Sequence, residues 1–102
     1  MKILALLTMR DGADRAAFGP LLVPEEQVLW AAYRQGALRE LYFQLEPLAV
    51  TLIYEAADLA EVERQIDALP MLQEGLLDRR IVTLGPWLPL EVMFDPSLKP
   101  AS

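Results

Sequence analysis

The chain contains no cysteine, no histidine and no asparagine. The first two absences remove disulfides, Cys/His zinc sites, cysteine nucleophiles and any Ser-His-Asp triad together. Serine occurs only at Ser97 and Ser102, near the C-terminal end, and lysine only at Lys2 and Lys99. The groups left for acid–base work are Asp, Glu, Tyr and those two lysines, with Arg available to hold an anion. Basic residues are also in deficit. The net charge of −6 argues against nucleic acid, whose phosphates call for clustered Lys and Arg. No apolar run approaches the length of a membrane span, about 18 residues. The opening MKILALLTMRDG has a short apolar run, but Arg10-Asp11 interrupts it and no small-residue cleavage site follows, so a cytoplasmic protein is expected. The five glycines form no phosphate-cradling loop, and no carboxylate spacing suggests a calcium loop.

What is present is apolar and regularly broken. Hydrophobic residues make up 54% of 102, enough for one folded domain, expected over 1–95, with 96–102 as a tail. Met1–Met9 reads as a strand ended by the turn signal Arg10-Asp11-Gly12. Ala13–Val23 is irregular, broken by Gly19-Pro20. A helix starts near Pro24, with Glu25 and Glu26 where the positive end of its dipole favours carboxylates, and stops at Gly36. Ala37–Gln44 and Leu48–Glu55 are strands joined by Leu45-Glu46-Pro47, hence an antiparallel hairpin. Asp58 caps a second helix, with Glu61 three residues on and a stripe of Leu59, Val62, Ile66 and Leu69, until Pro70 ends it. Leu76–Leu84 is a fourth strand, and alternation at Leu90, Val92 and Phe94 allows a short fifth.

The order βαββαβ is the ferredoxin-like α+β arrangement, two helices on one face of an antiparallel sheet. A sheet with one wet face shows clean alternation. The first and third strands are instead apolar on both faces, so something must cover the side away from the helices. The same sheet of a second chain, about 10 Å away, is the simplest cover. Trp87, after Gly85-Pro86, is placed to anchor the C-terminal segment on that partner.

This layout, with Leu38-Arg39-Glu40-Leu41-Tyr42, Leu69-Pro70-Met71-Leu72 and Gly85-Pro86-Trp87, resembles the muconolactone isomerase-like branch of the dimeric α/β-barrel superfamily. The resemblance runs from Met1 to about Phe94. It implies a homodimer, sometimes assembled further, with a small-molecule pocket between sheet and helices and chemistry that needs no cofactor. The isomerases themselves move a proton within a small lactone acid. Gly36, Arg39, Leu41 and the Leu69-Pro70 corner match in type. Position 40 departs, because the isomerase pattern has histidine after the arginine and this chain has Glu40. Heme-binding and histidine-dependent relatives are excluded by the absence of histidine.

Candidate catalytic residues are Arg39, Glu40 and Tyr42, and candidate pocket residues are Trp30, Tyr33 and Tyr54. Arg39 suits a carboxylate clamp, since its guanidinium can fork onto both oxygens, or an ion pair with Glu55, Asp78 or the Glu40 of a partner. Glu40 serves either as a general base, if burial raises its pKa, or as a rim salt bridge. Strand alternation puts Arg39 and Glu40 on opposite faces unless a bulge intervenes. Trp30 and Tyr33, three apart on one helix, are placed to touch. The reading favoured is a cofactor-free enzyme moving a proton on a small organic acid or lactone. Two alternatives stand beside it: a non-catalytic dimeric binding or assembly module, whose sheet–helix space would be filled, and a cofactor-free monooxygenase acting on an aromatic substrate.

Overall fold

The structure is a computed structural model that describes residues 1–95 and 97. Four strands form one antiparallel sheet: β1 (Lys2–Met9), β2 (Leu38–Gln44), β3 (Ala49–Glu55) and β4 (Leu77–Leu84), in the order β2-β3-β1-β4. Helices α1 (Leu22–Arg34) and α2 (Leu59–Asp67) follow β1 and β3, giving the expected βαββαβ order. A one-turn helix, α3 (Pro70–Gln73), lies in the stretch expected to be a plain connector. Pro70 explains it, since proline at a first helical position lacks only an N–H that would be unpaired there.

The two faces of the sheet differ. Ile3, Ala5 and Leu7 of β1 pair with Tyr54, Leu52 and Val50 of β3, and these side chains face the helices. Against them pack Leu29 and Ala32 of α1 and Val62 and Ile66 of α2, forming the core. On the other face Leu4, Leu6, Ile53 and Val82, with Thr51 among them, form a second, largely apolar surface that takes no part in the helix-side core among the described residues. The lack of alternation in β1 and β3 thus has its cause in a sheet apolar on both sides.

Local signals account for the boundaries. The Asp58 carboxylate accepts the Glu61 N–H at 2.9 Å, which caps α2. Asp58→Ala should cost about 1 kcal/mol in a urea melt, because that N–H then has only water. Helix α1 begins at Leu22, two residues before Pro24. A proline is tolerated anywhere in a first turn, whose N–H groups have no helical acceptor. Gly36 ends the excursion with φ +86°, a left-handed conformation that side chains with a Cβ resist.

The C-terminal segment departs from expectation. Leu88–Met93 is a 3-10 helix, not a fifth strand. Pro86 and Pro89 remove N–H donors that a ladder would need, and a strand requires a neighbour, which this segment does not have among the described residues. The tail expected over 96–102 lies outside the described residues, apart from Ser97.

Candidate functional site

Helices α1 and α2 do not close on each other over the sheet. Small side chains where they face, Ala31 and Ala32 on α1 and Ala68 just after α2, leave a cleft of about 560 Å³. Its floor is Tyr54 of β3, and its polar lining comes from Gln27, Gln35 and Gln65. The Gln65 Oε1 atom is buried and has no hydrogen-bond partner among the described residues. A buried acceptor of this kind costs free energy until something donates to it.

Glu25 does not itself line this cleft; it is buried next to it, against Met71, the residue after cleft-lining Pro70. It is 5% exposed and the sole charged residue in the core among the described residues. Its Oε1 accepts the Met71 N–H at 3.0 Å, one of the open donors at the start of α3. Burial pushes its carboxyl pKa up, opposed by the Met71 hydrogen bond and helped by the charge of Glu26. Tyr54 is pushed up to about 12, first by burial and then by the neighbouring Glu25 charge. The phenol therefore keeps its proton across the neutral range and remains a hydrogen-bond donor. A carboxyl held above its ordinary range beside a donor that stays protonated can take a proton from carbon and steady the resulting oxyanion.

Sequence reasoning placed Glu25 in the first turn of the helix and read it as a dipole partner. A signal for its burial was present. Glu25, Leu29 and Ala32 recur at intervals of four and three, so Glu25 lies on the buried stripe of α1.

The six residues singled out from the sequence separate in space. Tyr54 lines the cleft. Trp30 and Tyr33 stack, with ring centroids 5.8 Å apart, but on the outer side of α1, where a smaller groove of about 400 Å³ runs toward Leu41. Glu40 and Tyr42 share the open face of β2, where the Tyr42 hydroxyl donates to Glu40 Oε1 at 2.6 Å. That bond raises the Tyr42 pKa. Both side chains are exposed, and neither lines a described cleft.

At Arg39 the strand alternation fails. Leu38 pairs with Tyr54 and Glu40 with Ile53, so two steps of β2 match one of β3 in a bulge. Arg39 is the extra residue, and its Nε donates to the Gly36 carbonyl. The guanidinium is thereby held at the α1–β2 turn, one residue from cleft-lining Gln35. Neither intrachain ion pair considered for it forms: Glu55 pairs with the N-terminal amine at 3.4 Å and Asp78 with Arg10 at 2.9 Å.

No helix among the described residues is long and apolar enough to cross a membrane. No protein-family model matches the sequence, and no curated protein matches it. Solved structures do. The 5-chloro-2-hydroxyhydroquinone dehydrochlorinase of Burkholderia phenoliruptrix, in complex with 2,5-dihydroxybenzoquinone, superposes with a TM-score of 0.69 at 15% identity. It covers 83% of this chain and 94% of its own. A muconolactone isomerase superposes with a TM-score of 0.69 at 17% identity, over 84% of this chain and 90% of its own. At such identities the likeness establishes the fold: this chain has the ferredoxin-like α+β fold of muconolactone isomerase, the branch its sequence resembles.

Proposed function

We propose that the chain is a small-molecule enzyme that moves a proton on a small organic acid or lactone, in the cleft between α1 and α2. The observation that carries this reading is the buried Glu25 carboxyl beside a cleft floored by Tyr54. In the ionised form Glu25 removes a proton from the carbon next to the substrate carbonyl. The C–H electrons pass into an enolate whose oxygen takes a hydrogen bond from Tyr54. The same carboxyl returns the proton at the conjugated carbon, so the double bond shifts and nothing is gained or lost overall. Arg39, at the turn beside Gln35, holds the carboxylate of the acid. No step requires a cofactor. The cleft favours this reading over a purely structural module, which would have filled the space.

In the same reading the chain works as a homodimer, with the open sheet face against that of a second copy. Leu4, Leu6, Ile53 and Val82 motivate it, and Glu40 and Tyr42 then lie at the interface. The test is to incubate the protein with muconolactone in D₂O and follow deuterium uptake and isomerisation by NMR, with Arg39→Ala alongside. Exchange should appear and fall sharply in the variant. If concentrated protein gives no exchange with muconolactone or related unsaturated lactone acids, proton transfer in this cleft is refuted.

A further inference from the structure

The cleft between α1 and α2 holds one polar atom that the proposed proton transfer does not use. Of its three glutamines, Gln27 and Gln35 are exposed, so water serves their amides. Gln65 of α2 is half-buried, and its Oε1 is buried with no donor among the described residues. A buried acceptor left in that state costs about 1–3 kcal/mol, and folded chains hold few of them. Packing alone does not call for an amide here. The wall around it is apolar, with Val28, Ala31 and Ala68, and a methionine would cover that wall without the cost.

The rest of the lining narrows what such an acceptor could meet. Among the described residues the cleft is lined by no Asp, Glu, Lys or Arg. The part of a ligand that lies there is therefore uncharged, and a few placed polar groups fix its identity and orientation. Tyr54 on the floor keeps its proton and is a donor. Gln65 is the complement, an acceptor facing the same space. A ligand that serves both carries an acceptor oxygen with a hydroxyl beside it.

We propose that Gln65 is the specificity-determining residue of the cleft, and that it selects unsaturated ring carbonyl compounds bearing a free hydroxyl next to the carbonyl. This rests on the cleft and on the role given above to Tyr54. The ligand carbonyl takes the Tyr54 hydrogen bond, and the adjoining hydroxyl donates to Gln65 Oε1. Because the side chain is only half-buried, a swing of its outer torsions brings the oxygen to the ligand. That swing breaks no bond of Oε1 to the described residues. A ring without the hydroxyl leaves the acceptor unpaired in a cleft it has itself closed to water. A polar site rejects an analogue lacking its partner for this reason.

Two butenolides serve as probes: sotolon, whose enolic hydroxyl adjoins the lactone carbonyl, and the same ring without that hydroxyl. Each is titrated into isotope-labelled protein, and NMR shifts of the cleft amides give its Kd with no turnover required. The parent should bind sotolon about tenfold more tightly than the deoxy ring, the worth of one net hydrogen bond. Gln65→Met should bring the two affinities together by weakening sotolon alone. Gln65→Glu, which keeps an acceptor, should retain the preference. A purely structural Gln65 would move the melting temperature and not this ratio. Gln65→Met should melt no lower than the parent, since it removes an unpaired buried acceptor. Equal binding of the two probes by the parent, binding of neither, or a preference that survives Gln65→Met overturns the inference. The proton-transfer reading fails separately. A Gln65-dependent preference without deuterium exchange into any unsaturated lactone acid keeps the selectivity and removes the chemistry, and exchange without the preference does the reverse.

Discussion

Glu25→Gln should abolish proton exchange with the lactone substrate, lowering the rate by about 10²–10⁴-fold, the usual worth of a positioned acid–base group. The fold should survive, because the glutamine carbonyl can still accept the Met71 N–H that Glu25 accepts at 3.0 Å. Stability should move the other way from activity. Burial raises the native pKa of Glu25 above its ordinary value of 4.5, so the folded protein binds that proton more tightly than the unfolded chain does. Its contribution is then fully present below about pH 4.5 and is lost as pH rises through the raised native value. Glutamine carries no such dependence. The variant should therefore melt higher than the parent at pH 7, with the gap closing at pH 4. Glu25→Ala, by contrast, leaves the Met71 N–H unpaired and should cost about 1–3 kcal/mol. A Glu25→Gln enzyme that still exchanges protons at the parental rate would remove Glu25 from the chemistry and leave it a buried structural acid.

The second large effect concerns the two faces of the sheet. Leu52 is fully buried beneath the helices, while Leu6 points the other way. Leu52→Ala should destabilise the chain by about 2–5 kcal/mol through lost contacts and the cavity left behind, with an unchanged denaturant slope. Leu6→Asp should leave the helix-side core intact and act on association. Its melting temperature should lose the dependence on protein concentration that an assembled parent shows. Equal, concentration-independent losses at both sites would mean that the open face is not an interface.

Much of the molecule was legible from local patterns, and particular residues show why. Asp58 three residues before Glu61, and Gly36 after the last apolar turn of α1, are signals whose effect is confined to one turn of chain. The antiparallel hairpin of β2 and β3 follows from a connection too short for anything else. The double-sided apolarity of β1 corresponds to a helix-side face of buried Ile3, Ala5 and Leu7 and an opposite face on which Leu4 and Leu6 are half-buried. Where the reading went astray, the deciding partner lay far away in sequence. Glu25 is buried because Met71, 46 residues later, offers it a donor. Leu90, Val92 and Phe94 alternate like a strand, but among the described residues no sheet edge pairs with them and two prolines spoil the ladder, so the segment turns as a 3-10 helix.

The sequence by itself determined the element order, the helix caps, the exclusion of thiol, imidazole and triad chemistry, and the class of fold. These depend on residue type and on spacings of a few positions, and such interactions are the same wherever the chain goes next. Only the tertiary structure decided which acid is buried, that the bulge at Arg39 breaks the alternation between it and Glu40, and that the alanines of α1 and the end of α2 face each other across a cleft. Each of those is set by the meeting of segments separated by tens of residues. Burial, desolvation and an acceptor such as Gln65 Oε1, unpaired among the described residues, exist only once those segments have met.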